Sequence, residues 1–239
     1  METPGATSRV PDIPGWHVDA VEQTGSTNAD LLAAAQRGAP DRSVLVTAHQ
    51  TAGRGRLDRR WEAPPGTNLL VSLLFRQVPA HPHELTQRVA LAAASAARAL
   101  AGVDAQLKWP NDLLIGDAKL AGVLAQAGTN DGRVDHVVVG IGVNVGWAPE
   151  GGARLGDGID PLDVLRAMLV AYDELPDDVH GLYRASLATV GRQVRVELAS
   201  GELIGRAVDV GRDGRLAVLD DCAITHHIDT GDVVHLRAM

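Results

Sequence analysis

The chain has 239 residues, and its 22 basic and 30 acidic side chains give a net charge of −8 at neutral pH. Its length allows one or two domains, and 45% apolar residues are enough for an ordinary core. The acidic balance argues against a general nucleic-acid binder, and no apolar run approaches the roughly 18 residues of a membrane span. The single cysteine, Cys222, cannot form an intrachain disulfide, which favours a reducing compartment and predicts a cytoplasmic protein.

The first 190 residues alternate between strand-like and helix-like segments. Residues 1–14 contain three prolines and no apolar periodicity, which predicts a flexible tail that is too short for a helix-turn-helix domain. The clearest helix is 83–101, because alanine favours helices and the apolar side chains recur every three to four residues. Asn28 is expected to cap the first helix. The other predicted elements are strands at 16–24, 43–50, 69–76, 106–109, 112–115, 119–127 and 135–145, and helices at 28–37, 161–174 and 178–189.

The pattern changes near residue 190. Short β segments at 193–198, 203–210, 215–219 and 233–238 are separated by turn signals, which predicts a small β-barrel domain over 191–239. The preceding segment, 15–190, is then expected to be the catalytic domain. Strands and helices that occur side by side within it predict an α+β fold with a central mixed β-sheet.

The two lysines of this chain lie close together. Twenty of the 22 basic residues are arginine, and only Lys108 and Lys119 are lysine. A site that keeps lysine where arginine otherwise serves needs a compact ammonium with three rotatable donors. The alternative is chance clustering, but a functional role is the favoured interpretation.

The strongest chemical signal is a basic loop, HQTAGRGRLDRRW, at 49–61. Glycine lets backbone N–H groups approach an anion, and arginine binds carboxylate or phosphate in a bidentate manner. The loop is therefore a candidate anion cradle, although a nucleic-acid-binding loop or a solvated charge run has the same composition. It is not a phosphate-binding loop of the Walker type, because the chain contains no Gly-Lys pair.

Three further segments carry polar or glycine patterns. GSTNAD at 25–30 predicts either a helix cap or a set of contacts to the polar head group of a ligand. Asp112 in KWPND is a candidate to orient an amine or accept a proton. VVVGIGVNVGW at 137–147 is one residue too long for the dinucleotide fingerprint, but its alternating glycines would let a flat ligand lie against the strand. The scattered histidines predict no protein-built metal centre.

Taken in order, the motifs STN, Q-x-A-G-R-G-R-x-x-R-x-W, KWPND, KLAG and GIGVN resemble those of biotin protein ligases over about residues 16–239. The resemblance implies an α+β mixed-sheet domain followed by a small barrel like a Src-homology-3 domain. It implies a biotin–[acetyl-CoA-carboxylase] ligase, which uses ATP to make biotinyl-5′-adenylate and transfers the biotin to a lysine. The expected partner is the biotin carboxyl carrier domain of an acyl-CoA or pyruvate carboxylase.

Many members of this family carry an N-terminal winged helix that binds an operator. Only about fifteen residues precede the first predicted strand here, so we expect a monofunctional ligase without specific DNA binding or membrane association. Mg²⁺ is expected to enter with ATP. Two alternatives remain: a ligase that activates lipoate by the same chemistry, and a non-enzymatic nucleic-acid-binding module that uses the arginines.

The resemblance also implies roles for individual residues. The expected catalytic residues are Lys119, Arg56 and Asp112. The loop 146–158 corresponds to the adenylate-covering loop of the family, with Trp147 only a candidate, and Asp58 replaces a residue that is commonly small. The expected biotin contacts are Ser26, Thr27, Asn28, Gln50, Gly53, Arg54, Gly55, Arg56, Lys119, Gly122 and Gly142. The expected ATP and adenylate contacts are Arg54, Arg56, Arg59, Trp61, Lys119 and Asn144.

Overall fold

A computed structural model describes residues 12–57, 59–198, 201–229 and 231–236. Most of the predicted tail and Asp58 lie outside these residues. Ile13 is described and buried in the main core, so packing begins two residues before the predicted boundary at 15. Within the described part, no helix is long and apolar enough to cross a membrane.

The larger part of the molecule is a seven-stranded sheet with four helices. The strands are β1 His17–Thr24, β2 Ser43–Gln50, β3 Leu69–Phe75, β4 Gln106–Lys108, β5 Asp112–Ile115, β6 Ala118–Asn130 and β7 Arg133–Val143. The helices are α1 Thr27–Gln36, α2 His83–Ala101, α3 Pro161–Asp173 and α4 His180–Ser186.

The strand order in this sheet is β1-β2-β3-β7-β6-β5-β4. β1 and β2 are parallel and all other neighbours are antiparallel, so the predicted mixed sheet is confirmed. β3 is buried along its whole length because α1 packs against one face and α3 against the other. This two-sided cover explains why its sequence is a continuous apolar run instead of an alternating one.

The start of α1 differs from the sequence prediction. Ser26, not Asn28, is the N-cap residue, and its side chain makes no capping bond. Asn28 lies in the first turn and is buried, with its side-chain amide donating to the Leu124 carbonyl and to Gln126 on β6. The prediction of an Asn28 cap was wrong because tertiary hydrogen bonds to the sheet took the place of a local cap.

The C-terminal part is an antiparallel five-stranded sheet in the order β11-β10-β9-β8-β12. It fits the predicted small barrel. The sequence prediction missed β11, because its residues THHI are polar and lack an alternating apolar pattern. The strands are β8 Gln193–Leu198, β9 Gly201–Val210, β10 Leu216–Leu219, β11 Thr225–Ile228 and β12 Asp232–His235.

The barrel is fixed against the larger sheet at the end of β4. The indole Nε1 of Trp109 donates to the carbonyl of Gly214 in the barrel at 2.9 Å, and in the segment that leads into the barrel the Ala188 N–H donates to the carbonyl of Leu107 at 2.8 Å. The start of β12 lies beside the basic loop, where Asp232 forms an ion pair with Arg59.

Candidate active site

One cavity of about 480 Å³ lies between the basic loop, the glycine-containing strands β6 and β7, and the start of β12. It gathers every residue that was expected to be a catalytic, biotin or adenylate contact, except Gly53. Those lining residues are Ser26, Thr27, Asn28, Gln50, Arg54, Gly55, Arg56, Arg59, Trp61, Asp112, Lys119, Gly122, Gly142 and Asn144. Residues that are distant in sequence therefore form one site.

The polar end of the cavity is held by a short hydrogen-bond network. The backbone N–H and the hydroxyl of Thr27 donate to Gln50 Oε1 at 2.8 and 3.1 Å. The Ser72 hydroxyl lies 2.7 Å from Thr27 Oγ1 and 2.6 Å from Asn28 Oδ1. Ser72 carries no sequence signal beyond being a polar residue in an apolar strand. The network fixes the side chains that face the cavity, as a preorganised site requires.

The basic loop is a closed hairpin. Gly55 N–H donates to the Arg59 carbonyl at 2.7 Å, and Trp61 N–H donates to the Gly53 carbonyl at 3.1 Å. The N–H of Gly55, one of the backbone donors of the predicted anion cradle, is therefore used inside the loop. The guanidinium groups of the loop line the cavity and are candidates for binding an anion.

Gly53 and Gly55 differ in their surroundings. A Cβ at Gly53 would overlap the Trp61 carbonyl oxygen, whereas a Cβ at Gly55 would have its nearest neighbour, the Arg59 carbonyl, at 3.5 Å. Gly53 does not line the cavity. Gly53 instead lets the two ends of the loop lie close together, because only a residue without a Cβ permits this approach to the Trp61 backbone.

Two arginines of the loop reach the C-terminal barrel. Arg56 donates through Nη1 to Asn111 Oδ1 at 3.2 Å and through Nη2 to the Gly231 carbonyl at 3.3 Å. Arg59 forms an ion pair with Asp232, which also lines the cavity. Burial lowers the pKa of Arg56, and the negative charges of Asp232 and Asp112 oppose that shift. The guanidinium stays protonated at neutral pH because arginine is too strong a base to lose its proton in a protein.

A lysine–carboxylate pair stands at the centre of the site. Lys119 Nζ lies 2.6 Å from Asp112 Oδ1 and 5.6 Å from the ring centroid of Trp61. β5 and β6 carry a register shift between Leu113 and Leu114, next to this pair. Lys108 does not line this cavity, so the structure brings only one of the two clustered lysines into it.

The glycine strands form a flat floor. Gly122 and Gly142 are direct cross-strand partners, and the Trp61 indole lies over both. A Cβ at Gly142 would overlap the indole ring, and one at Gly122 would lie 3.3 Å from Cζ3. A flat group does lie against Gly142 of the alternating glycines, but it is this chain's own tryptophan. Its Nε1 is buried and has no hydrogen-bond partner within the described residues.

Asn144 at the end of β7 is fully engaged. Its Nδ2 donates to the carbonyls of Lys119 and Ala153 at 3.2 and 2.9 Å, and its Oδ1 accepts from Asn68 at 3.3 Å. Asn144 thus joins the glycine strand to the loop 146–158. Trp147 and Pro149 of that loop line the cavity.

The sequence of this chain is similar to that of known ligases. The pattern of the biotin/lipoate A/B protein ligase family matches residues 20–144, and the chain belongs to this family. It is 38% identical to the biotin–[acetyl-CoA-carboxylase] ligase of Mycobacterium tuberculosis, over 93% of this chain and 91% of that protein. It is 28% identical to the bifunctional ligase/repressor BirA of Bacillus subtilis, over 86% of this chain and 70% of that protein.

The fold has a close counterpart among solved structures. The biotin protein ligase of Aquifex aeolicus in complex with biotin and ATP superposes with a TM-score of 0.75 and 24% identity. The match covers 93% of this chain and 99% of that one. It confirms the predicted combination of a mixed-sheet domain and a Src-homology-3-like C-terminal sheet.

Proposed function

We propose that this chain activates biotin with ATP and transfers it to a lysine of a biotin carboxyl carrier domain. The single observation that carries the proposal is the cavity that joins the Lys119–Asp112 pair, the arginine loop and the Thr27–Gln50 network. The Mycobacterium tuberculosis relative, which bears the corresponding name, supports it at 38% identity.

In the first step, a biotin carboxylate oxygen would attack the α-phosphorus of ATP, and the bond to the departing diphosphate would break. Both reactants are anions that repel each other. The ammonium of Lys119 and the guanidinium groups of Arg54, Arg56 and Arg59 would offset that repulsion and the charge that builds in the transition state. Mg²⁺ enters with ATP, held mainly by phosphates and water.

In the second step, a lysine amine of the carrier would attack the carbonyl carbon of the adenylate, and the bond to the phosphate oxygen would break to release AMP. Asp112 lies 2.6 Å from Lys119 and is placed to accept a hydrogen bond, and then the proton, from the incoming amine. A water-excluding cover from loop 146–158 would limit hydrolysis of the adenylate.

The residues divide into contacts and supports. We assign the polar head of biotin to Ser26, Thr27 and Gln50, because their polar atoms face one end of the cavity. We assign supporting roles to Asn28 and Asn144, because the two amide hydrogens of each are bonded within the chain. Gly122 and Gly142 make room for the Trp61 indole, and we propose that the indole and the loop residues Arg54, Gly55 and Arg56 form the side of the cavity that faces the bound ligand.

A substitution at Trp61 tests whether its indole Nε1 binds the adenylate. Trp61→Phe keeps an aromatic ring over the glycines but removes the unpartnered Nε1 donor. We expect release of the adenylate to become about three- to tenfold faster, because a hydrogen bond to a charged group is lost. Adenylate leakage without acceptor is the measurement. Trp61→Ala should leak more, and a wild-type rate for Trp61→Phe would show that the donor makes no ligand bond.

The loop arginines are poorly placed for nucleic acid. Arg56 and Arg59 are engaged by the barrel, and Arg60 lies 3.9 Å from Glu62. We propose that the chain has no specific DNA partner. A mobility-shift titration of the adenylate-loaded protein on promoter DNA at physiological salt should show no tight, sequence-selective complex.

Direct measurement of the carrier tests the proposed function. The protein is mixed with biotin, Mg²⁺-ATP and a carrier domain, and the carrier is weighed by mass spectrometry. We expect a gain of one biotinyl group, no gain without ATP, and no gain with lipoate in place of biotin. A lipoyl gain instead would support the lipoate alternative, and a carrier of unchanged mass would contradict the proposal.

A further inference from the structure

The C-terminal barrel contributes a carboxylate to the cavity of the larger domain. Asp232 is the first residue of β12 and lies more than 170 positions after the basic loop that it contacts. Its side chain is only 28% exposed, whereas that of its partner Arg59 is 63% exposed. The acid is therefore the more buried partner of the pair, and the arginine is the more exposed one.

The start of β12 is a fixed point. Asp232 pairs with Glu197 on β8, and the next residue, Val233, is 3% exposed and faces the core. A Cβ on Gly231 would lie 2.8 Å from Val196, so the backbone here is tightly packed against β8. The Gly231 carbonyl and the Asp232 carboxylate are thus held by the barrel before any ligand binds.

Among the described residues of the basic loop, two arginines contact the sheet and the barrel. Its internal bonds close the hairpin, but beyond the hairpin Arg56 contacts Asn111 and the Gly231 carbonyl, and Arg59 contacts Asp232. Asn111 is in turn fixed to β6, because it exchanges two hydrogen bonds of 2.8 Å with the backbone of Val123. Arg56 therefore joins the loop to both the sheet and the barrel, and Arg59 adds a second contact with the barrel.

We infer that Asp232 is a positioning residue that acts through Arg59 to hold the basic loop over the cavity, so that the barrel controls how long the adenylate is retained. The inference rests on the proposed function. If Asp232 merely repelled the phosphate of the adenylate, removal of its charge would slow release of the adenylate instead of speeding it. The ion pair and the fixed backbone favour the positioning role.

The test uses the full chain and Asp232→Asn, which removes the charge and keeps the size. We expect adenylate release without acceptor to become about two- to fivefold faster, the range of a partly exposed ion pair. Asp232→Glu should recover most of the retention. The control is Asp209→Asn, which breaks another ion pair between the barrel and the larger domain, with Arg184, away from the cavity. It should release adenylate at the wild-type rate.

A double-mutant cycle separates positioning from general stability. If Asp232 acts through Arg59, Asp232→Ala should add nothing to the release rate of Arg59→Ala. Additive effects, slower release by Asp232→Asn, or equal leakage by Asp209→Asn would each overturn the inference. A wild-type protein that forms no adenylate would instead overturn the proposed function, so the two failures are distinguishable.

Discussion

Replacement of Lys119 by alanine is expected to lower the rate of adenylate formation by roughly 10²–10³-fold, the cost of removing one preorganised charge from a transition state. Its ammonium lies 2.6 Å from Asp112 and lines the cavity together with four arginines of the basic loop. Without it, the biotin carboxylate and the α-phosphate would meet with their repulsion largely unscreened. Biotin-dependent exchange of diphosphate into ATP measures this step without the carrier.

The arginine variant sharpens the same test. A Cβ at Gly122 would lie 3.1 Å from Lys119 Nζ, so the ammonium sits close to the strand backbone where a planar guanidinium needs more room. We expect Lys119→Arg to be at least tenfold slower, roughly the effect of displacing a charge by an ångström. Lys108→Ala is the matched control, since the other lysine lies outside this cavity. Wild-type exchange by Lys119→Arg would contradict the need for a point charge.

The second large effect is expected at Gly53. A methyl group there would overlap the Trp61 carbonyl oxygen and disrupt the bond from Trp61 N–H to the Gly53 carbonyl. Forced overpacking costs about 1–3 kcal/mol, so Gly53→Ala should leave the loop closed far less often and release adenylate at least about tenfold faster. Leakage of adenylate without acceptor measures the effect, and near-ultraviolet circular dichroism reports the tryptophan environment.

Gly181→Ala is the control, because it places the same methyl group on a glycine of α4 that does not line the cavity. Its Cβ would meet nothing within 4 Å, so we expect less than a threefold change in leakage. Similar leakage by the two variants would show that hairpin closure does not depend on Gly53.

Much of the fold was readable from local pattern. Helix 83–101 and strands 43–50 and 112–115 have the bounds that the sequence predicted, because an apolar stripe or a short β-rich run reports its own secondary structure. The short strand THHI was missed because polar residues carry no such pattern. Its extended backbone is stabilised by antiparallel pairing with β10.

The candidate site was likewise predictable from the sequence only in part. The sequence alone predicted which segments line the cavity, because glycine, arginine and a rare lysine in one order are informative without coordinates. Only the tertiary structure decided that Asn28 is occupied by the sheet, that the N–H of Gly55 is used inside the loop, and that Asp232 reaches the cavity. The physical reason is that hydrogen-bond partners and steric limits depend on which surfaces meet after folding, and Asp232 meets Arg59 only because the barrel docks against the larger sheet.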